Sequence, residues 1–117
     1  MESKELLESI VKILDDKKAS DIVAFETADV TVLTDYFVIA SATSSTHVRS
    51  LADDVEDGMT KLGVEPDHIE GKATGWILLD YSSVVVHIFQ NDTREYYNLE
   101  RLWADAPRVD LSHLLHE

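Results

Sequence analysis

The sequence contains no cysteine, and this absence removes three kinds of chemistry at once. Disulfide bonds, thiol nucleophiles and thiolate metal sites are all excluded, and a reducing cytosol suits such a chain, so we expect a cytoplasmic protein. Long apolar runs are also missing. Asp35, Asp80 and the pair Ser82–Ser83 interrupt every candidate for the roughly 20 residues that span a bilayer. The amino-terminal residues are acidic and amphipathic, so neither a secretory nor a mitochondrial leader is expected.

Basic residues are scarce. The chain has 10 lysines and arginines against 23 aspartates and glutamates, which gives a net charge of −13 and a pI of about 4.5. Phosphate neutralisation needs clustered lysine and arginine, so direct reading of nucleic acid is not expected. A highly charged partner, if there is one, should be basic.

What the sequence does contain is enough for one core. Its 117 residues and 44% hydrophobic content predict a single domain. Apolar residues at three-and-four spacing predict a helix over residues 3–18, and a second helix that Ser44 or Ser45 caps and that Gly63 ends in a left-handed conformation. Between these helices, residues 21–26 (DIVAFE) and 35–41 (DYFVIAS) read as strands joined by a loop or hairpin.

After Pro66 the pattern favours strands. Residues 67–71, 75–81 and 84–90 are predicted strands, and the last two should form a tight hairpin through Ser82–Ser83 at the centre of the sheet. Residues 92–95 (DTRE) fit a capping box that begins a third helix, on which Tyr96, Leu99 and Trp103 share one face. Pro107 lies beyond the end of that helix, and residues 110–117 are expected to form a loose tail.

The stretch from residue 75 to residue 107 concentrates the large aromatic side chains. It holds both tryptophans and three of the four tyrosines, which are Trp76, Trp103, Tyr81, Tyr96 and Tyr97. Tryptophan and tyrosine are enriched at the centres of protein interfaces, which favours a docking surface. The same residues would also suit a buried strand followed by an amphipathic helix, so the composition leaves core packing and recognition both open.

Strand alternation sharpens this choice. It places Trp76, Leu78 and Asp80 on one face of the strand and Ile77, Leu79 and Tyr81 on the other. An unpaired carboxylate is costly to bury, so the face with Asp80 is expected to be wet or to meet a basic partner, and Trp76 could be an exposed anchor there. The alternative is that Trp76 covers the core and Asp80 only ends the strand.

Catalysis finds little support in the acidic residues. A magnesium-dependent transferase needs carboxylates close together on neighbouring strand positions, whereas Asp35 and Asp80 are isolated. The other acids considered lie on the second helix and are expected to form its solvated side: Asp53, Asp54, Glu56 and Asp57. We therefore expect no enzyme activity and no metal.

Histidines and hydroxyls are equally unpromising. His47 and His68 are far apart in sequence, and His113 with His116 has ligand-like spacing only in a poorly patterned segment. His87 is most simply a hydrogen-bonded strand histidine. The hydroxyl residues before the second helix are more typical of a helix cap than of a phosphate cradle: Ser41, Thr43, Ser44 and Ser45.

Four separated blocks of the sequence resemble the ribosomal silencing factor family, also called RsfS or Iojap-like. They are TDYFVIASATSSTHVRSLADDVE at residues 34–56, EG at 70–71, GWILLDYSSVVVHIF at 75–89 and REYYNLERLWADAP at 94–107. The resemblance extends from about residue 21 to residue 107. One departure is visible, because Ser82–Ser83 stands where the family usually has Gly-Asp, which leaves the turn type open but not the strand pairing.

The resemblance implies a fold and a function. The fold would be α/β, a mixed sheet of about five strands with flanking helices and a nucleotidyltransferase-like topology. The protein would bind the large ribosomal subunit through ribosomal protein L-fourteen, block association with the small subunit and repress translation under nutrient limitation. It would act without cofactors, and it would be a homodimer when free.

By position, the contact region of the family falls on six residues of this chain: Trp76, Leu79, Asp80, Tyr97, Leu99 and Glu100. Glu100 could equally be a solvated helix acid that pairs with a nearby arginine. The alternative function is a small-ligand or nucleotide-binding protein of nucleotidyltransferase-like shape, with its anion site at residues 41–45. The missing carboxylate pair argues against it.

Overall fold

The computed structural model describes residues 2–28, 34–71 and 75–115. The bounds of the first two helices and of the five strands fall within two residues of those predicted. Parts of two predicted connections lie outside the described residues: residues 29–33, between the first and second strands, and residues 72–74, between the third and fourth strands. The elements in chain order are α1 (Ser3–Asp16), β1 (Ser20–Glu26), β2 (Tyr36–Ala42), α2 (Ser45–Lys61), β3 (His68–Glu70), β4 (Trp76–Asp80), β5 (Val84–Gln90), α3 (Asn91–Tyr97) and a single 3-10 turn (Leu99–Arg101).

The five strands form one mixed sheet in the order β1-β2-β5-β4-β3. Among the described strands, β2 and β5 run parallel, and the other three pairings are antiparallel. A parallel pair needs a long crossover, and the chain between β2 and β5 supplies it with α2. The predicted class, α/β with a mixed sheet of about five strands and flanking helices, is confirmed. The predicted centre is wrong in part, because β5 alone is central and β4 lies between it and the edge strand β3.

Helices α1 and α2 cover one face of the sheet. Each presents an apolar stripe to the strands, and the buried members of the two stripes are Leu6, Leu7, Ile10, Val11, Leu14, Val48, Leu51, Ala52, Val55 and Met59. The predicted ends of α2 are confirmed: the Ser44 hydroxyl accepts the backbone N–H of His47, and Gly63 has a φ of 84°. We call this side of the sheet the helix face.

The chain runs from β5 into α3 without a loop, so the predicted capping box is wrong. The helix begins at Asn91, before Asp92, and its N-cap is Gln90, whose side chain makes no cap hydrogen bond. The helix is also shorter than predicted. It ends at Tyr97 because Asn98 adopts a left-handed conformation with a φ of 46°, a shape that asparagine tolerates better than most residues.

The carboxyl-terminal segment packs against the body of the protein, so the expected loose tail is wrong for residues 110–115. The Pro107 carbonyl accepts the N–H of Glu26, and the Val109 N–H donates to the Ala24 carbonyl along the edge of β1. Beyond them, Leu111 and Leu114 are buried in the core beneath α1. These two leucines, three residues apart, form an apolar face, and its burial stabilises the folded protein.

Candidate docking surface

The second face of the sheet, which we call the open face, is aromatic. Strand alternation is as predicted: Ile77 and Leu79 are buried on the helix face, and Trp76, Leu78 and Asp80 lie on the open face. The open-face cluster consists of Phe25, Phe37, Ile39, Phe89 and Ala106, with Val23, Trp76, Val85, Leu99 and Trp103 packed around them. Its cover comes from residues 99–106 rather than from a long helix.

Trp76 is the residue around which the exposed aromatic rings gather. It stacks on Phe89, with ring centroids 5.0 Å apart at 26°, and it contacts Tyr97 at 4.8 Å. Tyr96 meets Tyr97 edge to face at 5.1 Å. Such pairs contribute beyond the area they bury, so the rings support one another. We call Trp76, Tyr96 and Tyr97 the aromatic surface.

The aromatic surface lines a shallow depression of about 620 Å³, together with Gly75 and the α3 residues Asp92 and Thr93. Gly75 makes this geometry possible, because a Cβ at this position would lie only 2.8 Å from the Thr93 hydroxyl. The backbone of β4 therefore approaches α3 closely enough for Trp76 to meet Tyr97. Tyr96 remains 83% exposed and Tyr97 50% exposed, which is unusual for large aromatic residues.

His87 holds the edge of the Trp76 ring. The indole Nε1–H donates to His87 Nδ1 over 2.8 Å, which confirms the predicted hydrogen-bonded strand histidine. Burial lowers the pKa of His87 to about 4, so the imidazole is neutral at physiological pH. The second tryptophan differs, because Trp103 packs on Phe37 with ring centroids 5.0 Å apart and its buried indole nitrogen has no hydrogen-bond partner among the described residues.

Glu100 lies in an ion-pair network, and it lines a separate depression with Arg94 and Arg108. Arg94 Nε donates to Glu100 Oε1 over 3.0 Å, and Arg108 Nη2 lies 3.7 Å from Oε2. Arg94 also donates from Nη1 to the Asp21 carbonyl over 2.7 Å and to the Ser41 hydroxyl over 2.6 Å. Arg94 thus fastens α3, the 3-10 turn, β1 and β2 together, and Leu99 packs half-buried in the open-face cluster.

The remaining two predicted contact residues lie elsewhere. Leu79 is fully buried on the helix face, so its side chain offers no surface to a partner in this conformation. Asp80 lies at the far end of β4 from Trp76, roughly 13 Å along the strand. There its Oδ1 accepts the N–H of Ser82 over 2.8 Å, and its Oδ2 lies 3.7 Å from His68 Nδ1. Asp80 therefore stabilises the predicted β4–β5 hairpin, in which Ser82 has a φ of 68°.

Two of the hydroxyl groups that an anion site at residues 41–45 would use already have protein partners. The Ser41 hydroxyl accepts from Arg94, and the Ser44 hydroxyl caps α2. Within residues 2–28, 34–71 and 75–115, no cluster of three or more histidines and carboxylates is placed to hold a metal ion. Asp35 accepts a hydrogen bond from Ser3 over 2.5 Å. His116, half of the predicted ligand-like pair, lies outside the described residues.

Sequence reasoning missed three residues that build this site. Tyr96 was expected to share one face of a longer helix with Leu99 and Trp103, but the helix ends before Leu99. The adjacent pair Tyr96–Tyr97 was the available signal, because neighbouring rings on a helix point about 100° apart and are both buried only where a wide apolar surface covers them. Arg94 and His87 gave no such signal, since the Arg94 partners Asp21 and Ser41 lie 73 and 53 residues away in the sequence.

Comparison with known proteins identifies the family. The family model described as "Ribosomal silencing factor during starvation" matches residues 1–117, the whole chain. The chain belongs to the ribosomal silencing factor family. It is 38% identical over 116 residues to the ribosomal silencing factor RsfS of Halalkalibacterium halodurans, covering 98% of this chain and 99% of that one. It is also 38% identical over 112 residues to the RsfS of Bacillus subtilis, covering 95% of both.

A solved structure agrees with this membership in the ribosomal silencing factor family. A crystal structure of a Chromobacterium violaceum protein superposes with a TM-score of 0.86 at 32% identity, covering 89% of this chain and 88% of that one. The described part of the chain contains no helix with the length and apolar character needed to cross a bilayer. The mixed sheet and its flanking helices are the fold that this chain shares with that crystal structure.

Proposed function

We propose that this ribosomal silencing factor binds the large ribosomal subunit through ribosomal protein L-fourteen in the cytoplasm. Bound there, it sterically blocks association with the small subunit and represses translation under nutrient limitation. The protein performs no chemistry in this proposal. Family membership supports the ribosome as the target, since the relatives are named for silencing it.

The observation that carries the proposal is the exposure of the aromatic surface. Large aromatic anchors at the centre of an interface commonly supply most of the binding free energy. Trp76, Tyr96 and Tyr97 lie together, and two of them are at least half exposed. We place the centre of the contact on these three, with Leu99 and Glu100 at its margin. Asp80 is placed at the periphery, and Leu79 lies outside the contact because it is buried on the helix face.

The charge of the surroundings indicates the partner's character. Asp92 lines the depression beside Trp76, Glu95 is exposed on α3, and the chain as a whole carries a net charge of −13. Ribosomal proteins that hold RNA are rich in lysine and arginine, so a basic side chain beside the aromatic rings would meet both a carboxylate and a ring face.

Purified subunits test the proposal directly. The tagged protein should retain the large subunit and not the small one, and it should lower the yield of joined ribosomes when both subunits are mixed. A cross-link from a photoreactive group at Tyr96 should map to L-fourteen. Retention of the small subunit, or of neither, would overturn the proposal. In cells that lack the protein, translation should stay high after transfer to poor medium.

Trp76→Ala should weaken binding to the large subunit by at least roughly thirtyfold, because a desolvated aromatic anchor contributes about 2 kcal/mol or more. Leu62→Ala is the matched control, since Leu62 is 53% exposed but follows α2 on the helix face. Circular dichroism must first show that the variant is folded. If folded Trp76→Ala binds and blocks joining like the parent, the docking surface lies elsewhere.

We also propose that the free protein is a homodimer. The family resemblance and the exposed aromatic residues support this, because a surface of this kind favours self-association at high concentration. Sedimentation equilibrium measures it. A monomer that persists at high micromolar concentration would refute the homodimer.

A further inference from the structure

His87 occupies the middle of the open face on the central strand. It pairs with Leu78 of β4 on one side and with Ile39 of β2 on the other. Its side chain is only 4% exposed, and its ring stacks on Phe37 with centroids 4.4 Å apart. A polar ring so deeply buried is costly unless it makes a hydrogen bond.

The hydrogen bond that it makes goes to the aromatic surface. Trp76 is paired across the strands with Phe89, and its ring leans diagonally to reach His87 two residues earlier on β5. An indole N–H is only a donor, so Nδ1 must be the acceptor and the imidazole proton is on Nε2. This assignment requires a neutral ring.

The indole is therefore fixed in two directions. Phe89 stacks against its face, and His87 holds the polar edge through the N–H at 2.8 Å. Without the acceptor, the indole ring would still stack on Phe89. It would lose the hydrogen bond that favours one orientation of the ring within the plane of stacking. An interface residue that is already ordered before binding avoids the entropy cost of being ordered at that moment.

The surrounding groups do not offer His87 a competing role of equal geometry. Asp67, His68 and Asp80 line the neighbouring depression on the same face, together with His87. However, Asp80 is engaged with Ser82 and His68, and the Ser82 hydroxyl bonds Asp67. The side-chain hydrogen bond of His87 is therefore the 2.8 Å bond that it accepts from the Trp76 indole.

We propose that His87 is a positioning residue: it orients the Trp76 indole and so preorganises the aromatic surface for the large subunit. His87 itself touches no partner. This inference rests on the proposed function, and it adds a residue that acts through another. A substitution that removes the acceptor and preserves the ring should therefore weaken binding without moving the docking site.

Two substitutions separate the effect of the His87 hydrogen-bond acceptor from the effect of its side-chain volume. His87→Phe keeps a ring between Phe37 and Trp76 but removes the acceptor. His87→Asn places an amide oxygen where Nδ1 stands, and it should restore the bond. In the free protein, the indole N–H resonance of Trp76, assigned by its persistence in Trp103→Phe, reports the bond directly. In His87→Phe the chemical shift of this resonance should change, and its proton should exchange faster with solvent. In His87→Asn both should remain near the parent's values.

Binding to the purified large subunit provides the second readout. We expect His87→Phe to bind roughly three- to tenfold more weakly than the parent, and His87→Asn to recover most of that loss. In the Trp76→Ala background, His87→Phe should have no further effect, because its action passes through the indole. Melting curves must show that both single variants are folded.

The outcomes distinguish this inference from the function on which it rests. If the parent does not bind the large subunit, the proposed function fails. If the parent binds and folded His87→Phe binds equally well, the positioning role is overturned and the proposed function stands. An indole resonance unchanged in His87→Phe would also overturn the positioning role, whatever the binding. Equal losses of affinity in His87→Phe and His87→Asn would show that the imidazole ring acts only through packing, and this result would also overturn the positioning role.

Discussion

The two faces of the sheet are made by alternate residues of the same strands, but they are covered very differently. On the helix face, Ile77, Leu79 and Val86 are fully buried under α1 and α2, and the cluster is mainly aliphatic. On the open face, aromatic rings and His87 lie under a short 3-10 turn and irregular chain. One face therefore buries nearly all of its apolar side chains, whereas the other leaves part of its apolar surface exposed.

The largest expected difference between the faces comes from two adjacent leucines of β4. Leu79→Ala should lower the free energy of unfolding by about 2–5 kcal/mol, because it leaves a cavity under the helices. Leu78→Ala, on the half-buried open face, should cost about 1 kcal/mol. Urea denaturation measures both. Equal losses would show that the open face is packed as tightly as the helix face.

The pH dependence of stability should reveal His87. Its pKa is about 4 in the folded protein and near 6.5 when unfolded, so the unfolded chain binds the additional proton between these values. Stability should thus fall as the pH drops from about 6.5 to 4, by roughly 3 kcal/mol from this group. Above pH 6.5 the contribution is constant.

The carboxylates and exposed histidines also titrate, so the comparison must be made with His87→Phe. Asp67, His68 and Asp80, which share the neighbouring depression, remain in both proteins. Chemical denaturation at several pH values should give a shallower slope between pH 6.5 and 4 for the variant. Identical slopes would contradict the buried, neutral imidazole.

A smaller loss is expected from Arg94→Lys. The ammonium keeps the charge, but it cannot reach Glu100, the Asp21 carbonyl and the Ser41 hydroxyl together as the guanidinium does. We expect a loss of about 1–2 kcal/mol in the free energy of unfolding. Arg101→Lys is the matched control, because Arg101 is exposed on the 3-10 turn. A loss as small as that of the control would show that the network adds little to stability.

The smallest effect on stability should come from the most exposed ring. Tyr96→Ala should leave the free energy of unfolding within about 0.5 kcal/mol of the parent, since little of the side chain is buried. Its affinity for the large subunit should nevertheless fall, which is the signature of a binding residue. A melting temperature clearly below the parent's would instead assign Tyr96 to packing and weaken the contrast between the faces.

Some of this site could be predicted from the sequence because the physics is local. The β4 alternation placed Trp76 on the face opposite Leu79, and a period of two does not depend on what covers either face. The resemblance of four blocks to the ribosomal silencing factors indicated Trp76 and Tyr97, which the fold brings within 4.8 Å. It also indicated Leu79 and Asp80, but the same alternation places Leu79 on the other face, and the length of β4 places Asp80 at the far end of the strand from Trp76.

The errors have a common physical cause. The pattern from residue 92 to residue 103 resembles one amphipathic helix, but Asn98 adopts a left-handed conformation and ends α3. The segment then turns across the open face, because Leu99 and Trp103 gain more by packing on the aromatic cluster than by extending the helix. Leu111 and Leu114 likewise gain burial only because the fold brings α1 beside them.

The sequence by itself determined the helix and strand periods and the acidic charge, because composition and short-range spacing carry this information. The resemblance of its four blocks to known proteins indicated the family and, through the family, the α/β class. Tertiary structure alone decided that β5 is central, that Arg94 joins segments 53 and 73 residues apart, and that His87 meets the Trp76 indole. These contacts depend on the register of strands and on chain closure over long distances, and no local pattern encodes them.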